Sequence, residues 1–407
     1  MASGTPANLS KLLTVLFPDK ALGMGYERSR FLSLCRKDEK FYGDSKYTVV
    51  KTAPTSGGSV DFATAQGNKQ PTQQVRFTIQ HKTEYQLFSV SGPLLRRAKG
   101  KGQIVSIYEN EMKEALYSFW RTMAVGAWGN GGGSLGVVGS YSNKTITLST
   151  KADISRFEKG KYVMLATDDG SGSSPSGQLD GGATARIASI NHQSDTATIT
   201  FDSNVATLWP SVSSSGDYIF RAGDYGAKFS GIKGWNPITA PTSGDSFNGV
   251  DRSVAASRLS GYRVSGSGGT KEETLIDAAA EAKFQGFNPT HVFANPLDIK
   301  GLFKTQAGNT IIDVGTDIPT VSFKAVQLAT PGGMVTVIPE TDVPKGYAWM
   351  LNPSNYVLRS AGAVPQVLDE DGLSRAREST ADAYEYRMGC DVALDCDNPG
   401  ECVVITW

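Results

Sequence analysis

Cysteine is scarce. The 407 residues contain four (Cys35, Cys390, Cys396 and Cys402), too few for a secreted scaffold stapled by disulfides. Histidine is scarcer still: His81, His192 and His291 lie in separate segments, without cysteine or carboxylate at zinc-ligand spacing. Excess charge of either sign is missing. Forty Lys and Arg balance forty Asp and Glu, so the net charge of +0 gives no general attraction to nucleic acid or an anionic membrane. No apolar run reaches the roughly 18 residues of a membrane span. A short apolar run at 12–17 lacks a basic segment before it and a small-residue cleavage site after it, and is not read as a signal peptide. These absences lead to the expectation of a soluble protein, assembled in the cytoplasm, with no cofactor and no metal.

Catalytic patterns are also missing. No H-E-x-x-H occurs. Gly131, Gly133 and Gly136 have dinucleotide-fingerprint spacing, but they follow a helical pattern and precede an extended one, the reverse of the order such a site needs. The glycines at 266, 268 and 269 precede a helix without a following phosphate-binding lysine, so a flexible loop is favoured over an anion site. Asp168-Asp169 and Asp369-Glu370-Asp371 lie in turn-rich sequence where nothing would raise a carboxyl for acid catalysis. Cys390, Cys396 and Cys402 recur every six residues beside Asp391, Asp395 and Asp397, a spacing that fits no familiar metal site. Cys396 and Cys402 flank a turn and could face each other across a hairpin. Buried free thiols are the favoured reading over a disulfide or metal. No catalytic, cofactor-binding or metal residue is assigned, which itself points to a structural role.

What the chain does have is a long helix. At 103–127, Ile104, Tyr108, Met112, Ala115, Leu116, Phe119 and Met123 recur every three or four residues and line one face. No Pro or Gly interrupts it before Gly126, and at helical rise it spans about 37 Å. A stripe so broad needs a sheet or a neighbouring chain to cover it. It is read as a spine.

Other segments attach to it. Residues 1–45 read as an arm, with short helices at 7–17 and 26–34 and a basic excess (Arg28, Arg30, Arg36, Lys37, Lys40) expected to be solvated. Lys46-Tyr-Thr-Val-Val-Lys51 and Val75-Arg-Phe-Thr-Ile-Gln80 alternate with the period of strands, with a Gly/Ser/Gln-rich stretch at 56–71 between them. Residues 46–91 therefore read as a long hairpin with a loose tip. Two strands bury too little to be stable alone, so an adjacent subunit is the natural support. Arg96, Arg97, Lys99 and Lys101 crowd the start of the spine, where the helix dipole disfavours cations. A phosphate, an acidic neighbour or plain solvation would account for them.

Residues 134–222 read as a separate all-β insertion. Short strands at 144–149, 161–166, 185–190, 196–201 and 217–220 suggest a small barrel or sandwich. It leaves through the glycines at 129–133 and returns at Gly223-Asp-Tyr-Gly226. The rest is α/β: a capping box, Thr270-Lys-Glu-Glu273, opens a helix at 271–285. Strands are expected at 291–294, 320–326, 334–338 and 347–351, a helix at 296–303, and strands again at 383–387, 390–395 and 402–407.

This α+β order of parts resembles the major capsid protein of tailed bacteriophages, with the Hong Kong 97-type fold. Local phrases resemble it too: Tyr108-Glu-Asn-Glu-Met-Lys-Glu114, Arg221-Ala-Gly-Asp-Tyr-Gly226, Gly249-Val-Asp-Arg252 and Leu259-Ser-Gly-Tyr-Arg263. The resemblance implies an N-terminal arm (1–45) and an extended loop (46–91). It implies a peripheral domain with the spine helix (92–133 and 356–407), a β-rich insertion domain (134–222) and an axial domain (223–355). It further implies a non-enzyme that self-assembles through hexamers and pentamers into an icosahedral virion shell around double-stranded DNA, formed in the bacterial host cytoplasm. Residues 47–62 and 75–88 would carry contacts between copies, and Arg96, Arg97, Lys99 and Lys101 would face the DNA. Scaffolding, portal and decoration proteins would be partners, with scaffolding supplied separately because the chain begins at Met1. Some family members crosslink a loop lysine to a neighbour's asparagine; Lys69 and Asn398 are the positions here. An encapsulin-like compartment has the same fold, and a β-rich carbohydrate-binding or hydrolytic enzyme is the rival of a different class.

Overall fold

A computed structural model describes residues 29–97, 101–172, 175–192, 197–266, 268–306, 326–368 and 376–407. Among the described residues it is a mixed α+β fold with two six-stranded sheets, a closed six-stranded barrel, a long two-stranded ribbon and a small two-stranded sheet, Ser246–Phe247 with Val250–Asp251. The spine is a helix at Lys101–Ala127, 27 residues and so about 40 Å long. Its apolar stripe is covered twice. Met112, Ala115 and Leu116 lie on Met388 and Phe88, whereas Phe119, Trp120, Met123 and Ala127 enter the main core. Each such large side chain contributes about 1.5–3 kcal/mol by leaving water.

The first sheet is built on Ala383–Cys396, a 14-residue strand. One side pairs antiparallel with Lys82–Ser91, from Ala383 opposite Ser91 to Val392 opposite Lys82. Tyr356–Ser360, with Arg36–Asp38 parallel beyond it, and the short strands Gln366–Val367 and Ala376–Arg377 complete it. This corrects the reading of 46–91 as one hairpin. Only Ser45–Ala53 and Gln73–Gln80 pair with each other; Lys82–Ser91 continues their alternation but belongs to the body. The physical reason is that buried Glu84 is met by Arg221 and Lys228 and the strand packs against the spine helix rather than in the ribbon.

The second sheet runs in the order Tyr262–Ser265, Cys402–Thr406, Tyr347–Leu351, His291–Ala294, Gly333–Pro339, Val326–Thr330. The last strand of 356–407 thus lies in this second sheet rather than in the first. Cys402 and Val404 face the main core, while Val403 and Ile405 face the helix Lys271–Phe284. A strand apolar on both faces belongs in the middle of a covered sheet. That helix opens with the expected capping box: Glu273 N–H donates to Thr270 Oγ1 at 3.2 Å and Thr270 N–H to Glu273 Oε2 at 2.7 Å. The Glu273 carboxylate thus occupies the helix start that an anion would need. Buried Asn236 ties the two sheets, accepting from the Tyr356 hydroxyl at 2.5 Å and donating to the carbonyls of Ser260 and Pro399.

A closed barrel is formed by Ser134–Ser142, Thr145–Leu148, Tyr162–Ala166, Ala185–Asn191, Thr198–Phe201 and Tyr218–Arg221, with its own core around Trp209, Phe201 and Ile199. Its first strand was missed from sequence because Gly136 and Gly139 interrupt the alternation. The crossing between barrel and body is tight rather than loose. A Cβ on Gly132 would lie 1.8 Å from the Asp169 carbonyl oxygen, and one on Gly231 2.3 Å from that of Ala127.

Of the arm's basic residues, Arg36, Lys37 and Lys40 are exposed as expected, but Arg30 is not. Arg30–Leu34 is a short helix whose Phe31 and Leu32 are in the core, and Arg30 itself is buried. The Arg30 N–H donates to the buried Glu340 carboxylate at 3.0 Å. Burial, followed by neighbouring Asp342, pushes Glu340 up from its ordinary 4.5 to about 8. The folded chain then keeps a proton that the unfolded chain releases, so this group's contribution falls as pH rises from the unfolded to the folded value. Glu340→Gln is expected to raise the melting temperature more at pH 8 than at pH 5, checked by thermal unfolding at both. The arm's residues 1–28, the strand expected at 320–326 and the acidic run at 369–371 lie outside the described residues, apart from Val326.

Candidate interaction surface

The ribbon's two strands alternate, so they have an inner and an outer face. Val50, Phe77 and Ile79 point inward, with Phe77 packed on Trp235 at 5.1 Å between ring centroids. Tyr47 and Val49 point outward and are half exposed, and the Arg76 guanidinium lies 4.2 Å over the Tyr47 ring. The inner burial corrects the expectation that all of 47–62 and 75–88 serves a neighbour. Phe77, Ile79 and Val50 are held by their own chain. The remaining surface begins beyond them.

Past residue 53 the ribbon carries no core. Thr55 and Thr72 hydroxyls meet at 2.8 Å and Ser56 bridges Gln70, so the two arms stay together to the tip. The tip is a one-turn-and-a-half helix, Phe62–Gly67, capped by Asp61, which accepts from the Thr64 N–H at 2.8 Å. None of its residues is buried, and Val60 and Phe62 stand at 109% and 81% exposure. Two large apolar side chains fully in water at the end of a ribbon are what a covering surface would remove. Sequence reading identified the loop but missed Val60 and Phe62, because isolated apolar residues in a Gly/Ser-rich stretch form no period.

One charge network holds the ribbon's base and a second joins the body to the barrel's exit. In one, Thr48 Oγ1 donates to both oxygens of fully buried Asp395, at 2.8 and 2.7 Å, and Arg359 Nε donates to Asp395 at 2.7 Å. Arg359 also pairs with Asp38, which Lys46 Nζ approaches at 3.1 Å. The Lys46 hydrogen bond, more than any other influence, holds the Asp38 carboxyl below its usual range. In the other network, buried Glu84 on Lys82–Ser91 receives Arg221 and Lys228 from the barrel's exit, and Asp224 sits 2.9 Å from Arg221 and 3.1 Å from Lys228. Burial pulls the Arg221 guanidinium down, but Glu84 and Asp224 more than offset it and hold it above its usual value.

The other residues singled out from sequence are scattered. Arg96 pairs with Asp382 at 2.5 Å on the surface, the acidic neighbour among the readings of that basic cluster; the side chains of Arg97, Lys99 and Lys101 lie outside the described residues. Lys69 and Asn398 are both exposed, and no hydrogen bond or ion pair joins them within the chain. His81 stacks on Phe41 at 3.8 Å, His291 meets Thr290 Oγ1 at 2.7 Å, and His192 is exposed. All four cysteines are free and buried, and burial pushes Cys402 up to about 12. Cys396 and Cys402 do not face across a hairpin, because their strands lie in different sheets. Asp168 accepts from the Tyr225 hydroxyl and Asp169 from the Asn130 amide, so this pair pins a turn. Among the described residues no group of three His, Cys, Asp or Glu side chains is placed to hold a metal ion, and no helix is long and apolar enough to cross a membrane.

No family model matches the sequence, and no curated protein matches it. Among solved structures, the chain is similar to the capsid of a native GTA particle, at 12% identity and TM-score 0.45 over 93% of this chain and 91% of that one. It is also similar to the cyanophage A-1(L) capsid asymmetric unit, at 11% identity and TM-score 0.49 over 93% and 92%. A third is the satellite phage P4 procapsid with its size determination (Sid) protein, at 10% identity and TM-score 0.43 over 100% and 98%.

Proposed function

We propose that this chain is a shell subunit: a tailed-phage major capsid protein of Hong Kong 97 type that assembles with copies of itself. One observation carries the reading. The ribbon Ser45–Ala53 with Gln73–Gln80 is rooted in its own core but reaches a tip whose Val60 and Phe62 have no cover. A two-stranded ribbon is marginal alone, and a second copy of the chain supplies the missing surface. Repeated around a ring, each weak contact becomes part of a closed, symmetric set.

In this reading the extended loop is 45–80 rather than 46–91, and the peripheral domain joins the spine helix to the sheet on Ala383–Cys396. The barrel is the insertion domain, and the axial domain includes Cys402–Thr406. Hexamers and pentamers would close around double-stranded DNA, with scaffolding, portal and decoration proteins as further partners. Loop residue Lys69 and turn residue Asn398 remain candidates for a crosslink between copies, and denaturing electrophoresis of assembled particles would show it as a ladder. The decisive experiment is electron microscopy of the purified chain after size-exclusion chromatography. Closed shells or rings of capsomer size are expected; a monomer at every concentration would remove the proposal.

A further inference from the structure

Where the ribbon strand Gln73–Gln80 gives way to the body strand Lys82–Ser91, the chain leaves a pocket of about 330 Å³. Four parts of the fold meet around it. Thr78, Gln80 and Lys82 come from the joint itself, Ser230 from the return of the barrel, and Asn248 from the turn between Ser246–Phe247 and Val250–Asp251. Buried Ile79, Phe229 and, on the first sheet, Leu394 supply its apolar wall. An apolar cavity of about 150 Å³ holds benzene, so this one has room for about a dozen non-hydrogen atoms.

The polar lining lacks partners. The side chains of Thr78, Gln80, Lys82, Ser230 and Asn248 make no hydrogen bond or ion pair among the described residues. Thr78, Lys82, Ser230 and Asn248 are half-buried, yet none of their polar atoms is sealed from solvent. Lys82 is the single charge on the wall, and no carboxylate lines the pocket beside it. The neighbouring acids are engaged elsewhere: Asp391 accepts from the Thr83 hydroxyl at 2.6 Å, and Glu84 is held by Arg221 and Lys228. A concave site at a junction, with apolar walls and a few convergent polar groups, is the usual form of a small-molecule pocket.

We propose that this pocket binds a sugar acid, a compact polyhydroxylated body carrying one carboxylate. The carboxylate meets Lys82, the hydroxyls exchange hydrogen bonds with Thr78, Gln80, Ser230 and Asn248, and the apolar face of the ring lies on Phe229 and Leu394. The lining selects for this class. A phosphate brings about two negative charges against a single cation, an apolar acid leaves the hydroxyl and amide groups unmet, and a neutral sugar leaves the charge unmet. The occupant touches ribbon, barrel and first sheet together, so it braces the ribbon's root. The site belongs to the single chain and stands whether or not the chain forms shells.

Glucuronate is the probe, on the purified full chain by calorimetry and thermal unfolding, with glucose as the uncharged control and benzoate as the acid without hydroxyls. Glucuronate is expected to bind saturably and to raise the unfolding temperature; each control is expected to bind about tenfold more weakly or not at all. Lys82→Met keeps the stem and removes the charge, and is expected to weaken glucuronate about tenfold or more, whereas Lys82→Arg retains binding. Asn248→Asp suits the positive φ of 49° at that turn position and places a carboxylate on the wall. It is expected to abolish binding while the chain still unfolds cooperatively. Absence of saturable glucuronate binding at millimolar concentration overturns the proposal. So does equal binding of glucose or benzoate, or undiminished binding by Lys82→Met or Asn248→Asp.

Discussion

Glu84→Ala is expected to cost about 3–5 kcal/mol of stability, the range for breaking a buried ion pair from one side. Glu84 is 6% exposed, and its removal leaves Arg221 and Lys228 to share Asp224 alone in a water-poor site. A typical domain has about 5–15 kcal/mol in total, so the variant should be poorly folded at moderate temperature. The loss should be felt first between barrel and body, because Glu84 is on the first sheet and Arg221 ends the last barrel strand. Replacing both Glu84 and Lys228 with leucine keeps Arg221 paired with Asp224, and is expected to recover much of the loss relative to Glu84→Leu alone. Denaturant unfolding of the variants measures this. A cost below about 1 kcal/mol for Glu84→Ala, the level of an exposed pair, would mean the network is not what joins the parts.

The ribbon should separate stability from assembly. Phe77→Ala empties a fully buried ring site against Trp235 and Phe247, and is expected to cost about 3–5 kcal/mol in the isolated chain. Val60→Ser with Phe62→Ser changes two side chains that touch little, so unfolding should shift by no more than about 0.5 kcal/mol. Particles, in contrast, are expected to disappear from micrographs, because the tip has lost the apolar surface that a neighbour would cover. The pair of readouts is what matters. Normal shells from the double serine variant would show that the tip is not a contact, whatever its exposure.

Particular elements show how far local pattern reaches. The spine was legible because its apolar residues repeat with the helix period, and the helix Lys271–Phe284 because Thr270 and Glu273 cap each other within one turn. The barrel's existence was legible from strand spacing, but its closure was not, since Ser134–Ser142 contains glycines that erase the alternation. Ribbon and body strand could not be told apart by sequence, because Gln73–Gln80 and Lys82–Ser91 have the same period and almost no gap between them.

By itself the sequence determined the spine helix, the capped helix and many of the strands, and that a loop had been left without a core. Those features depend on neighbours a few residues away, and turn and capping chemistry writes them into the chain. Tertiary structure alone decided that Cys402–Thr406 completes the second sheet, that Phe77 is buried while Phe62 is bare, and that Glu84 meets Lys228 across 144 positions. Such pairings have no local signature, because burial and charge neutralisation are satisfied by whatever the folded chain brings near, not by what adjoins it in sequence.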